Sequence, residues 1–236
     1  TKVEGKKTWT DTNNQDGLRP ASIDITLSAV VKYTKDGQEV TETARPDETK
    51  TVTAAENWSW SWNPLPKYYQ GHEIEYTITE GAVNYYESAV TGYNVENIHT
   101  PFETQLTVIK DWKDGSNQDG LRPAEVKFKI VKDGVAIDQI ITLNEGNNWT
   151  YTAEHLPRKA AGKDIVYSVE EITQDQNYKV SDYKQTNPES ATNTVTEVND
   201  NQIASITVTN EHTPETVDVA GSKEWDDDGD RDGIRP

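Results

Sequence analysis

The chain has 236 residues, with 41 acidic against 23 basic side chains, a net charge of −18 and neither cysteine nor methionine. Such acidity argues against nucleic-acid binding, which needs a basic patch to neutralise phosphate, and the missing cysteines exclude a disulfide framework and cysteine–zinc sites. Only 33% of the residues are hydrophobic, and Trp and Tyr rather than Phe carry the aromatic share, a balance suited to β-structure around small cores.

The first element is a strand ending in Lys7-Thr8-Trp9, followed by "NQDGLRP" at Asn14–Pro20. In that motif Asp-Gly supplies a turn and Pro delays the next strand, so the expected structure is a hairpin-like connector. Ile23–Leu27 alternates cleanly as the second strand. Asn57-Trp58-Ser59-Trp60, Leu65-Pro66, Tyr76-Thr77-Ile78-Thr79-Glu80 and a last strand through Tyr93, Val95 and Asn97 come next, and His99-Thr100-Pro101 opens a short linker.

The same landmarks then recur in order: Lys110-Asp111-Trp112, "NQDGLRP" at Asn117–Pro123, Val126–Ile130, Asn148-Trp149-Thr150-Tyr151, Leu156-Pro157, Tyr167–Glu171, Ile206–Asn210 and His212-Thr213-Pro214. Lys223-Glu224-Trp225 and "DRDGIRP" at Asp230–Pro236 begin the series a third time. Lys110 follows Lys7 by 103 positions and Lys223 follows Lys110 by 113, a period that fits whole domains in tandem. Dense short strands with no helical stripe predict an all-β chain of tandem β-sandwiches. The expected divisions are 1–102, 103–214, and 215–236 as a linker plus the truncated first strand of a third copy. No apolar run reaches membrane-span length and no signal peptide or sorting motif is present, so the chain reads as a segment of something longer.

Residues two apart in a strand share a face. Lys110 therefore lies with Leu106, Val108 and Trp112, and Lys7 with Trp9. The same parity groups Glu80 with Ile74, Tyr76 and Ile78, and Glu171, not Glu170, with Ile165, Tyr167 and Val169. Asn97 joins Tyr93 and Val95, and Asn210 joins Ile206 and Val208. Each complete copy thus points one Lys, one Glu and one Asn into apolar surroundings, where polar groups are costly unless paired. Parity leaves two outcomes open. One is a buried Lys–Glu ion pair with a hydrogen-bonded Asn. The other is attack by a neutral lysine amine on the Asn amide, with a protonated Glu bonding the amide oxygen and shuttling protons, to give an isopeptide bond and ammonia.

Lys-x-Trp, "NQDGLRP", Tyr-x-x-x-Glu and the closing Val-x-Asn together resemble the Cna B-type domain, the B-repeat module of Gram-positive collagen adhesins and pilins. The resemblance covers nearly all of two copies and the first strand of a third. It implies a reverse-immunoglobulin-like sandwich and an autocatalytic cross-link from Lys7 to Asn97 with Glu80 as catalyst, and from Lys110 to Asn210 with Glu171. It further implies a structural stalk in an extracellular, cell-wall-anchored protein, with single-turnover chemistry only and no cofactor. Its expected partners are neighbouring repeat domains and, through other domains, host extracellular matrix, with no nucleic acid and no membrane insertion. Two alternatives stand beside the stalk: a matrix-binding adhesin module, with the insert at Thr43–Thr53 as the place for a ligand, and a pilus shaft subunit. Lys223 has neither Glu nor Asn after it, so no bond is expected there and the tail should be weakly ordered.

Other signals are read as structural. Asp228–Gly233 matches the start of a calcium loop but is expected to be an acidic loop. His99 and His212 are expected to make linker contacts rather than to bind metal. Trp58, Trp60 and Trp62 are assigned to one strand face, Trp58 to the core and Trp62 to a candidate exposed aromatic patch. Paired carboxylates of the glycosidase kind come with no cleft signature.

Overall fold

The computed structural model of the chain describes residues 1–173, 182–187 and 203–236. The described residues are all-β apart from two single 3-10 turns, at Ala54–Glu56 and Glu145–Asn147. The first domain runs β1 (Val3–Thr10), β2 (Ser22–Lys35), β3 (Gln38–Thr53), β4 (Ser59–Trp62), β5 (Tyr68–Tyr69), β6 (His72–Glu80), β7 (Glu87–Thr91) and β8 (Asn94–Ile98). The second runs β9 (Glu103–Lys113), β10 (Glu125–Lys132), β11 (Val135–Asn144), β12 (Thr150–Pro157), β13 (Lys159–Ala160), β14 (Lys163–Asp164), β15 (Tyr167–Ile172), β16 (Lys184–Asn187) and β17 (Ile203–Glu211).

In the first domain the sheet β4-β1-β8-β7 packs on β3-β2-β6-β5, and in the second β12-β9-β17-β16 packs on β11-β10-β15. The period-2 alternation read from the sequence is the burial pattern observed. Ile23, Ile25, Leu27, Ala29 and Val31 of β2 face Val3, Trp60, Trp62 and Val95 across one core. Val126, Phe128 and Ile130 of β10 face Leu106, Val108, Ile206 and Val208 across the other.

The first and last strands of each domain are parallel neighbours in the middle of one sheet. Their registers coincide: Lys7 lies beside Val95 and Trp9 beside Asn97, as Lys110 lies beside Val208 and Trp112 beside Asn210. Lysine and asparagine are therefore one diagonal step apart on the inward face of adjacent strands. The glutamate comes from the opposite sheet, where Glu80 is opposite Ile25 and Glu171 opposite Phe128.

The insert at Thr43–Thr53 lies in the edge strand β3, paired to β2 with an irregularity where Pro46 and Asp47 bulge between Arg45 and Glu48. Two expectations are corrected here. Trp62 is not an exposed patch: with Trp60 it points inward from β4 and is buried, whereas Trp58 precedes that strand and is half-buried. The tail also carries local order. Val217 and Val219 are exposed and form no strand, yet Arg235 grips Asp227 and its backbone N–H donates to Asp230 Oδ1 at 2.9 Å, the same bonds that close the first two copies of the turn.

Candidate functional site

In the second domain Lys110 Nζ donates to Glu171 Oε2 at 2.9 Å, and Asn210 Nδ2 donates to Glu171 Oε1 at 3.0 Å. In the first, Lys7 Nζ donates to Glu80 Oε1 at 2.5 Å and Asn97 Nδ2 lies 3.4 Å from the same oxygen. The lysine side chains are fully enclosed, and the glutamates are 1% and 2% exposed. Parity thus places all six side chains inward, Glu171 rather than Glu170 among them. One detail differs from the sequence reading. The carboxylate faces the amide nitrogen of each Asn, not its oxygen, and both Asn Oδ1 atoms are buried without a hydrogen-bond partner.

Burial dominates the electrostatics. Desolvation pushes the Lys110 ammonium down to about 8, against the pull of Glu171, and lowers Lys7 in the same direction against Glu80. An enclosed amine of that kind releases its proton near neutrality, which is what a nucleophilic lysine requires.

The tryptophan after each lysine belongs to the site. Lys7 Nζ lies 4.8 Å from the Trp9 ring centroid and Lys110 Nζ 4.9 Å from that of Trp112. Over the same indoles lie Arg19, at 5.7 Å, and Arg122, at 5.5 Å. Each guanidinium makes a two-pronged bond to an aspartate, Asp11 or Asp114. Tyr86 and Tyr183 donate their hydroxyls to those aspartates and pack edge-on against the indoles. The "NQDGLRP" segment is therefore more than a connector, because its arginine closes a lid over the lysine. Sequence reasoning missed the aspartate, although Lys-x-Trp-x-Asp holds in all three copies at Asp11, Asp114 and Asp227.

The lid sets a pH dependence. Bonding from Arg122 holds the Asp114 carboxyl at about 2, below the ordinary 3.8. Asp11 is held at about 2 as well, with burial outweighed by Arg19, the Asn14 N–H and Tyr86. A depressed carboxyl stabilises the fold above its unfolded value, and that contribution is lost as pH falls from 3.8 through about 2. The expected result is a falling Tm over this window, with a shallower slope in Asp114→Asn. Equal slopes in both proteins would show that the lid contributes nothing to stability.

The linker histidines do make local contacts. His99 Nε2 lies 2.8 Å from Asp16 Oδ2 and Nδ1 2.9 Å from the Tyr85 carbonyl. His212 repeats the pattern with Asp119 and the Asp182 carbonyl. Asp16 and Asp119, the aspartates of the "DG" turn, thus anchor the linker that leaves each domain. Asp228 in the tail pairs with Arg231 at 3.4 Å.

Among known proteins, the family model of the Cna protein B-type domain matches residues 3–98 and 106–211. The chain belongs to this family. Over all 236 residues it is 40% identical to a collagen adhesin of Staphylococcus aureus, of which it spans 18% of the length. The crystal structure of two B repeat units (B1B2) of the S. aureus collagen binding protein is 38% identical, covering all of this chain and 56% of that one, with a TM-score of 0.46. That of the single unit B1 is 37% identical, covering 91% of this chain and 99% of that one, with a TM-score of 0.38. The two Cna B-type domains thus stand in tandem in this chain, as the repeated landmarks imply.

Proposed function

We propose that the chain is a load-bearing stalk segment of a Gram-positive surface adhesin, each domain closed by a Lys–Asn isopeptide bond that it forms itself. The observation that carries this reading is the enclosed Lys–Glu–Asn set, built twice with the lysine on the first strand and the asparagine on the last. The Lys110 proton passes along its hydrogen bond to Glu171. The neutral amine attacks Cγ of Asn210, the protonated Glu171 delivers a proton to Nδ2, and the Cγ–Nδ2 bond breaks; the amine nitrogen passes its remaining surplus proton to the departing ammonia, which leaves as ammonium. One C–N bond forms, one breaks, and Glu171 is regenerated. Enclosure holds amine and amide together, so no outside enzyme is needed.

The topology explains the use. β1 and β8 are parallel neighbours, so tension entering the start of β1 and leaving the end of β8 shears the pair lengthwise. A bond from Lys7 to Asn97 bridges those two strands and carries the load covalently. The surface location and the connection to collagen or other matrix through other domains rest on the name of the S. aureus relative and belong to this proposal.

Intact mass tests the reading. The protein is expected to weigh less than its sequence by two ammonia molecules, with Lys7 and Lys110 unlabelled by an amine reagent and Lys223 labelled. Lys223 stacks on Trp225 at 3.9 Å in an exposed tail and bonds no carboxylate or amide among the described residues. A mass equal to the sequence value would reduce both sites to buried ion pairs.

A further inference from the structure

The contact between the two domains is built from two glycines. Gly162, at the tip of the β13–β14 hairpin, donates its N–H to the Gln15 carbonyl of the first domain at 3.0 Å. A Cβ placed on Gly17 would lie 2.5 Å from the Gly162 Cα, so a side chain there forces the backbones apart. The same loop holds the linker, because Asp16 Oδ2 accepts the Phe102 N–H at 2.8 Å and the Phe102 carbonyl accepts the Arg158 N–H at 2.9 Å. Loop, linker and hairpin form one joint.

Each half of this joint occurs again with no described residue against its glycine. In the second domain Asp119 Oδ2 accepts the Glu215 N–H at 2.9 Å, as Asp16 accepts that of Phe102, yet nothing lies within 4 Å of a Cβ on Gly120, the counterpart of Gly17. In the first domain the β5–β6 hairpin turns through Gln70 and Gly71 at φ 49° and 85°, close to the 48° and 78° of Ala161 and Gly162, and Gly71 is equally open.

The third copy shows which domain type follows. Residues 217–236 align without a gap on 1–20: Val219 on Val3, Gly221 on Gly5, Lys223 on Lys7, Trp225 on Trp9, Asp227 on Asp11. The second domain has Val108 where these have glycine. Gly5 is required in the first domain, where a Cβ would fall 1.6 Å from the Tyr93 carbonyl oxygen and 2.8 Å from the Trp60 ring. The sequence after the second domain is thus of the first type.

We propose that the Asp119-Gly120 turn receives the Gln70-Gly71 hairpin of a following first-type domain in the same chain, so that the two-domain unit repeats through one glycine-on-glycine joint. Head-to-tail contacts of this kind propagate as an open series. The inference goes beyond the stalk reading and does not depend on the cross-links. Absence of ammonia loss would remove the cross-link proposal and leave the joint standing.

The test is an array of residues 1–216 followed directly by the full chain, which preserves the spacing. The absence of native cysteine allows spin labels at Val135→Cys in the second domain and Lys35→Cys in the third. The expected distance distribution is as narrow as that between the same two labels across the Gly17–Gly162 joint in the 236-residue chain. Gly120→Asn, or Gly71→Asn in the third domain, should abolish the narrow peak, because Asn accepts a positive φ but adds a Cβ. In the 236-residue chain both variants should leave the distribution unchanged, whereas Gly17→Asn broadens it. A broad distribution in the unmodified array, or a narrow one indifferent to both variants, overturns the proposal. A narrow peak that vanishes on dilution also overturns it, since that reports contact between separate chains.

Discussion

Glu171→Ala is expected to leave the second domain without its cross-link, while Glu170→Ala leaves the cross-link complete. Glu171 touches both reacting groups, at 2.9 Å from the Lys110 amine and 3.0 Å from the Asn210 amide nitrogen. It is the only carboxylate among the described residues hydrogen-bonded to either group. Glu170 lies on the outer face of the same strand, opposite Lys129. General acid–base catalysis contributes about 10²- to 10⁴-fold, enough to separate a bond completed during folding from one absent over days. Removing one partner of a buried ion pair also costs roughly 3–5 kcal/mol, so Glu171→Gln, which keeps the volume and a hydrogen bond, is the companion variant. Peptide mapping should show one ammonia lost, not two, in Glu171→Ala and Glu171→Gln. A complete Lys110–Asn210 cross-link in either variant would sink the assignment of Glu171.

Much of this is legible because β-structure has a period of two. Alternation in β2 and β10 marks the core directly, and parity along three strands per domain brings Lys, Glu and Asn to the interior without any knowledge of sheet order. The distinction between Glu170 and Glu171 comes from that parity alone. What cannot be read depends on pairing between distant segments. Asp11 and Arg19 are close in sequence, but their purpose is visible only once Tyr86 and Trp9 surround them. His99 and Asp16 are 83 residues apart, and neither carries a local signal for the other. Trp62 is misplaced by sequence comparison because it has no aromatic counterpart in the second domain, where Ala153 stands; a residue without a counterpart can still be core when its copy has a larger core to fill. Pro46 interrupts the Thr43–Thr53 segment, yet a bulge accommodates proline at this sheet edge. The orientation of the Asn amides depends on which atom meets the carboxylate, and strand parity carries no information on that.

Asn210→Ala is expected to lower the melting temperature of the second domain by about 20–35 °C while that of the first moves little. The proposed bond from Lys110 to Asn210 would close a loop of about 100 residues, and by analogy with a disulfide such a loop stabilises by about 4.7 kcal/mol through the entropy of the unfolded chain. For a domain of this size each kcal/mol moves Tm by roughly 4–8 °C. The substitution also removes the Nδ2 hydrogen bond to Glu171, a bond to a charged group contributing about 1.5–3 kcal/mol and so less than the loop closure, while the amide oxygen has no hydrogen-bond partner to lose and Lys110 stays paired with Glu171. It also exposes a titration that the cross-link hides. A free Lys110 titrates at about 8 in the folded domain, against the 10.5 of a hydrated lysine in the unfolded chain. The unfolded state then holds more protons between those values, so the stability of Asn210→Ala should rise with pH from about 8 to 10.5. In the cross-linked protein Lys110 is an amide and contributes no such rise. Asn97→Ala should act on the first domain in the same sense. Differential scanning calorimetry at about pH 7 and about pH 10, on either side of most of that titration, measures both effects. If the second-domain transition of Asn210→Ala stays within a few degrees of the parent and shows no added pH slope, Lys110 and Asn210 are not joined, and the domain must draw its stability from elsewhere.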